Sequence, residues 1–268
     1  MVIPIHDDNP VRRTPIITYL LIVLNFVVFL SEPVVSQIGV GSQTVPQVCS
    51  QQAYFDRWAA IPKELTSNEP LPAHRYVVQT TGGRFACPVI HDTQKKPYLS
   101  VLYSMFLHGG WLHLLGNMLF LWVFGNNVED LFGRLKFLVF YLGCGYVAAY
   151  GFAFGNASST TTLVGASGAI AGVLGAYLVL FPRARVTSLI PIAIILIPLR
   201  LPAWLVLGGW FLLQWLYSSG AGVASGAGVA YLAHVFGFVA GVLVALAARP
   251  ALDTARRRTS IAGRPYGY

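Results

Sequence analysis

Four side chains in an otherwise apolar sequence have the chemistry for acyl transfer. Ser167 stands in Gly165-Ala166-Ser167-Gly168 and His234 in Ala233-His234-Val235-Phe236-Gly237. A hydroxyl and an imidazole brought together make a nucleophile and its general base. His113 and Asn117 lie one helical turn apart, so both project from one face and can donate hydrogen bonds to a single point. Donors converging in this way are what a developing oxyanion needs, and one such donor contributes ~3–4 kcal/mol in a soluble serine protease. Each residue also has a plainer role: serine among glycines packs helices, and a buried histidine or amide bonds a neighbouring helix. His108, in His108-Gly109-Gly110-Trp111, is expected at the mouth of the same site. His108 with His113 could hold a metal, but no third ligand falls at ligand spacing and no His-Glu-x-x-His occurs, so metal is the weaker reading.

The elements that must position these groups are membrane helices. The chain of 268 residues is 55% hydrophobic and 10% charged, with a mean hydropathy of +0.62, far more apolar than an ordinary soluble domain. Its formal charge of +8 sits at the ends of apolar stretches rather than in a patch, which argues for membrane orientation and against nucleic acid. Six apolar stretches have room to cross ~30 Å of hydrocarbon: Pro15 to Leu30, Trp111 to Gly125, Leu135 to Phe154, Leu163 to Leu180, Leu201 to Tyr217 and Gly228 to Ala247. Val186 to Leu199 is apolar too, but short and broken by Pro191 and Pro198, which favours an interfacial or re-entrant segment. With both termini in the cytoplasm, Arg12, Arg13, Arg134, Lys136, Arg183, Arg185, Arg200, Arg249 and the Arg256-Arg257-Arg258 tail all fall inside. The expected fold is thus an all-α polytopic membrane protein of six transmembrane helices. Its parts are a cytoplasmic arm at 1–14, a membrane domain at 15–247 and a basic cytoplasmic tail at 248–268.

Arg12-Arg13 ahead of the first stretch resembles a secretory signal peptide, with Val34-Val35-Ser36 as a weak cleavage site; a retained anchor fits better. A polar insertion at about 31–100 separates the first two helices and lies outside the membrane. It carries Cys49 and Cys87, which either pair as a disulfide or remain free thiols, because spacing alone does not give their separation.

Topology adds a check on the pairing of Ser167 with His234. Both helices enter from the outer face, which puts Ser167 about 6 Å and His234 about 9 Å below it. Gly165, Gly168, Gly172 and Gly175 form a small face on one helix, and Gly237 and Gly241 follow His234 on the other. Small faces let membrane helices approach closely enough for a serine–histidine hydrogen bond.

Taken together, these motifs resemble the rhomboid intramembrane serine proteases. The likeness runs from Ile3-Pro4-Ile5 and Asn9-Pro10 through His108-Gly-Gly-Trp-Leu-His113-Leu-Leu-Gly-Asn117 and Gly125-Asn126-Asn127-Val128-Glu129-Asp130. It continues through Gly165-Ala-Ser167-Gly168 to Ala233-His234 with Gly237 and Gly241. It implies that Ser167 is the nucleophile and His234 its base, a dyad without a third acid, and that His113, Asn117 and the Ser167 amide form an oxyanion hole. It also implies cleavage of other membrane proteins within or beside their transmembrane helices, with no metal or cofactor; hydrolysis needs water and a charged intermediate, so an outward-opening hydrated cavity is expected. Two features depart from the family pattern: many members carry Trp-Arg where this chain has Leu99 and Ser100, and some carry a tyrosine that packs on the histidine where it has Ala171.

The expected function is therefore intramembrane serine endopeptidase in a cell membrane, plasma or inner. Its partners are the bilayer and single-pass or other transmembrane substrates, and nucleic acid is not among them. A catalytically silent client-binding relative would share the glycines but tolerate loss of Ser167. A small transporter would place the same His and Asn along a polar path, but the chain has no evident duplicated halves.

Overall fold

A computed structural model describes residues 3–33, 45–73, 75, 77–80, 83–88, 93–192, 195–220 and 229–261. The start of the expected sixth stretch at Gly228, Val34-Val35-Ser36 and the tail beyond Ile261 lie outside them. In chain order the elements are β1 (Ile3–Asp7), α1 (Ile16–Ser31), α2 (Val45–Trp58), α3 (Pro62–Ser67), β2 (Val77–Thr80), β3 (Gly83–Ala86) and α4 (Pro97–Ser104). There follow α5 (Trp111–Phe120), a π-helical turn (Leu121–Gly125), α6 (Asn126–Phe132), α7 (Arg134–Gly155), α8 (Ser167–Leu180), β4 (Arg185–Ile192), β5 (Ile195–Pro202), α9 (Ala203–Ser218) and α10 (Tyr231–Ile261).

The helices turn apolar side chains outward and polar ones inward. Leu30, Leu112, Leu135, Val139, Phe154 and Leu243 are exposed, whereas Thr18, Asn25, Asn117, Asn127 and Glu129 are buried. That inversion suits a bundle whose solvent is lipid, where polar groups must find partners inside the protein. Of the described helices, α7 and the Tyr231–Leu252 part of α10 are long and apolar enough to cross a bilayer alone. α5 runs through the π-helical turn into α6, so the path expected to stop at Gly125 reaches Phe132 and ends at Gly133, whose φ of 79° breaks the helix.

α8 is the most enclosed helix, and its glycines meet those of α10. A Cβ on Gly237 would overlap the Gly168 carbonyl oxygen, and one on Gly241 that of Gly172. Across the other face of α8, a Cβ on Gly168 would stand 2.6 Å from the Ala148 methyl of α7. Backbone thus packs on backbone along the α8–α10 seam, which larger side chains would forbid.

The chain is mostly helical but not all-α. Val186 to Leu199, expected as an interfacial or re-entrant segment, is an antiparallel hairpin paired from Arg185↔Pro202 to Ile192↔Ile195, with β1 on its other side through Pro4↔Ser188 and Asp7↔Val186. β-Branched residues favour the pleat. The prolines fit because Pro198 lies on edge strand β5, and Pro191 lies on β4 beyond the reach of β1.

Nor is the insertion only a polar loop. It contains α2, α3, α4 and the β2–β3 hairpin, with Cys49 joined to Cys87 in a disulfide whose Cα atoms are 5.4 Å apart. Lys95 pairs with Glu64 at 2.7 Å, both side chains buried. The insertion is stitched to the stretch leading into α8: Leu163 N–H donates to Ala60 at 2.7 Å and Lys63 N–H to Ser159 at 3.0 Å.

Candidate active site

Ser167 is the first residue of α8, not the fifth of a longer helix. The helix expected from Leu163 cannot begin there because Gly165 adopts φ 117°, and 163–166 descends as extended chain and turn. Depth arises differently from the expectation. α8 has 14 residues against 22 in α7, and Gly168 faces Ala148, seven positions before Gly155. Ser167 therefore sits roughly 10 Å below the Gly155 end of α7 because its helix is short.

His234 lies in the first turn of α10, and its Nε2 is 2.8 Å from Ser167 Oγ. On the other side of the ring, Nδ1 is 2.7 Å from Oε1 of Gln214 on α9. The ring of Trp210, one turn earlier on α9, tilts against the imidazole at 5.8 Å and 32°. Tyr231 meets it edge-on at 6.5 Å.

His113 and Asn117 reach the same corner from α5. A Cβ on Gly165 would stand 2.7 Å from His113 Nε2 and 3.6 Å from Asn117 Nδ2, so both donors point at the turn just before Ser167. Gly165 is required twice over, by its φ and by the space those side chains take. Gly109 N–H donates to His113 Nδ1 at 3.4 Å, which leaves the ring proton on Nε2, facing the site. Asn117 Nδ2 is buried without a hydrogen-bond partner among the described residues. Ser167, His113 and His234 are each partly exposed. The amide of Ser167, at the start of a helix, belongs to the donors with no partner inside the helix.

His108 does not line a mouth. It is fully buried, its ring packs on His113 at 5.1 Å, and its backbone N–H donates to the Glu32 carboxyl at 3.2 Å. The stretch before Ser167 is held from the insertion side: Gly165 N–H donates to the Ser104 carbonyl at 2.9 Å, and Ser104 Oγ accepts from Ala60 N–H at 2.6 Å. A cleft of about 290 Å³ lined by Arg13, Glu129, Asp130 and Arg134 opens at the start of α7, roughly 21 Å along that helix from Ala148, away from this constellation.

Sequence reasoning did not single out Gln214. Its signal was present: an amide in the apolar run Leu212-Leu213-Gln214-Trp215-Leu216, four residues before the end of α9 at Ser218 and thus near the level of Ser167.

The Rhomboid domain family model matches residues 95–251. Rhomboid protein 1, mitochondrial, of Saccharomyces cerevisiae is 29% identical over 171 residues, covering 62% of this chain and 46% of that protein. Presenilin-associated rhomboid-like protein A, mitochondrial, of Danio rerio is 32% identical over 97 residues, covering 35% of this chain and 25% of the relative. RHOMBOID-like protein 5 of Arabidopsis thaliana is 36% identical over 78 residues, covering 29% and 25%. The chain spans less than half the length of each of these relatives.

Proposed function

Because the chain belongs to the rhomboid family and is a polytopic helical membrane protein, we propose that it is a serine endopeptidase that cleaves transmembrane segments of other membrane proteins. The observation that carries this reading is the 2.8 Å contact of Ser167 Oγ with His234 Nε2, beside two donors aimed at one turn. His234 takes the Ser167 proton as Oγ attacks the scissile carbonyl, giving a tetrahedral oxyanion. His113 Nε2–H, Asn117 Nδ2–H and the Ser167 amide stabilise that oxyanion, and the protonated His234 then gives its proton to the leaving amine. Water, activated by the same imidazole, releases the acyl group from Ser167. No cofactor enters.

In this reading six helical segments cross the membrane: α1, α5 through α6, α7, α8, α9 and α10, with both termini on the cytoplasmic side. Arg185 and Arg200, which lie together toward the open end of the β4–β5 hairpin, support that orientation. The site then opens outward as a hydrated cavity, since hydrolysis needs water and a charged intermediate that hydrocarbon does not tolerate. A stable substrate helix hides its peptide bonds in its own hydrogen bonds, so segments with small or helix-breaking residues near the outer face are the preferred substrates.

The test is cleavage of a reporter single-span protein by reconstituted wild type, Ser167→Ala and His234→Ala. Cleavage by wild type alone supports the reading. Cleavage by the variants sinks the dyad. A wild type that neither cleaves nor reacts with a fluorophosphonate points to a client-binding relative. Equal cleavage of a poly-Leu segment and one containing Gly or Pro overturns the substrate preference.

A further inference from the structure

Two bonds converge on the His234 ring, and only the one to Ser167 belongs to a serine–histidine dyad. The other ring nitrogen meets Gln214 Oε1 at 2.7 Å, and an amide oxygen can only accept. Nδ1 must therefore carry the ring proton, and the neutral imidazole must present the bare lone pair of Nε2 to Ser167 Oγ, 2.8 Å away. An imidazole of the opposite tautomer would face the serine with an N–H and could not serve as its base.

The rest of α9 fits this one contact. Leu212, Leu213 and Trp215 around Gln214 are exposed, so the amide is a polar residue turned inward from a helix whose flanks face out. Gln214 is half-buried, and withdrawing an amide from water costs free energy unless it is bonded; the bond its Oε1 makes is to His234. Trp210, one turn before it, lies along the same ring. From the α8 side, Ala171, one turn after Ser167, offers no more than a methyl group. The imidazole is therefore held in place from α9, and the described residues in hydrogen-bond or ring contact with it, Ser167, Gln214, Trp210 and Tyr231, include no carboxylate.

We propose that Gln214 is a positioning residue of the Ser167–His234 pair, its amide oxygen fixing the tautomer and angle of the imidazole. It does so without a buried charge, which would need partners of its own in this setting. When Nε2 takes the serine proton, the Nδ1–H bond to Oε1 persists and strengthens on the cation. The inference rests on the hydrolase reading above, and its test keeps the two separable.

Wild type, Gln214→Met and Gln214→Glu are to be compared by three measurements. One is the rate at which Ser167 Oγ displaces fluoride from the phosphorus of a fluorophosphonate, its proton passing to His234. The second is kcat and KM for a reporter substrate. The third is the ¹⁵N resonances of the His234 ring, assigned against His234→Ala. Met keeps the side-chain length but removes the acceptor; Glu keeps an acceptor oxygen. Loss of the acceptor in Gln214→Met is expected to lower labelling rate and kcat by about 10- to 100-fold with KM unchanged, less than the roughly 10²- to 10⁴-fold of a general base itself because Gln214 acts through that base. Gln214→Glu should retain most of the rate. The ¹⁵N spectrum should show a protonated Nδ1 in wild type and a tautomer mixture in Gln214→Met. Labelling of Gln214→Met at the wild-type rate overturns the proposal. So does an equal fall in both variants with a matching loss of thermal stability, which would make the role structural. A folded wild type that does not label overturns the hydrolase reading, and this inference with it.

Discussion

At the sheet end of the bundle the buried carboxylates of Asp7 and Glu129 are held in hydrogen-bond networks, whereas at the serine end a buried donor is left open. Asp7 Oδ2 accepts from Tyr177 OH at 2.6 Å and Asn127 Nδ2 at 2.8 Å, and Tyr177 also takes a bond from Asn9. Both Glu129 oxygens are occupied at the start of α1, by Ile17 N–H at 3.0 Å, Thr18 N–H at 2.7 Å and the Thr18 hydroxyl at 2.8 Å. Such a network clamps the N-terminal arm and α1 to the bundle. At the other end Asn117 Nδ2 has no partner among the described residues, and His113 Nε2–H points at a turn that has no side chain. An unpartnered buried donor costs free energy in the resting state, and it is stabilising when negative charge develops beside it. The contrast teaches how to tell a clamp from a site: the first is complete as folded, the second is completed by a reacting molecule.

Substitutions at the two ends should therefore show up in different measurements. The largest effect is expected from Ser167→Ala or His234→Ala, which should lower reporter cleavage by at least about a thousandfold while leaving thermal unfolding in detergent almost unmoved. Asn117→Ala should lower kcat by about a hundredfold with KM unchanged, and stability should hold or rise because an unpaired donor is removed. A large fall in stability instead would place Asn117 among the clamps and break the comparison. Glu129→Ala should behave oppositely, losing about 2 kcal/mol in unfolding experiments as the α1 start loses its acceptors. Its folded fraction should cleave at close to the wild-type rate.

A further effect, on the pH dependence of stability and not on the rate, concerns Glu32, just past the end of α1. Burial pushes its carboxyl up to about 8, partly offset by the His108 N–H that it accepts. The folded protein then binds a proton that the unfolded chain releases near pH 4.5. This stability is present in full below that pH and is lost as pH rises through about 8. Unfolding of wild type as a function of pH should show that decline, and Glu32→Gln should flatten it; an unchanged slope in the variant would assign the pH dependence elsewhere.

Much of this molecule was legible along the chain. Apolar length and arginine placement mark the membrane segments because lipid admits few other patterns, and α1, α7 and α9 fall within two residues of where composition puts them. His113 and Asn117 share a face by helical period alone. The pairing of Ser167 with His234 was reachable because both lie near the same end of their helices. The β4–β5 hairpin was not, since a short apolar run with two prolines reads equally as several things until β1, far away in the chain, supplies a partner strand. His108 was misplaced for a related reason: only the packing of Glu32 and His113 around it decides that it is buried.

Composition, period and charge thus determined the solvent of this protein, its main helices and the residue types available for chemistry, because these are local properties or follow from the bilayer. The tertiary structure alone decided where α8 begins, that a glycine with φ 117° lies under two converging donors, and that an amide on α9 meets the imidazole on α10. Those facts depend on ångström-scale distances between segments far apart in sequence, and only the packing of the helices sets such distances.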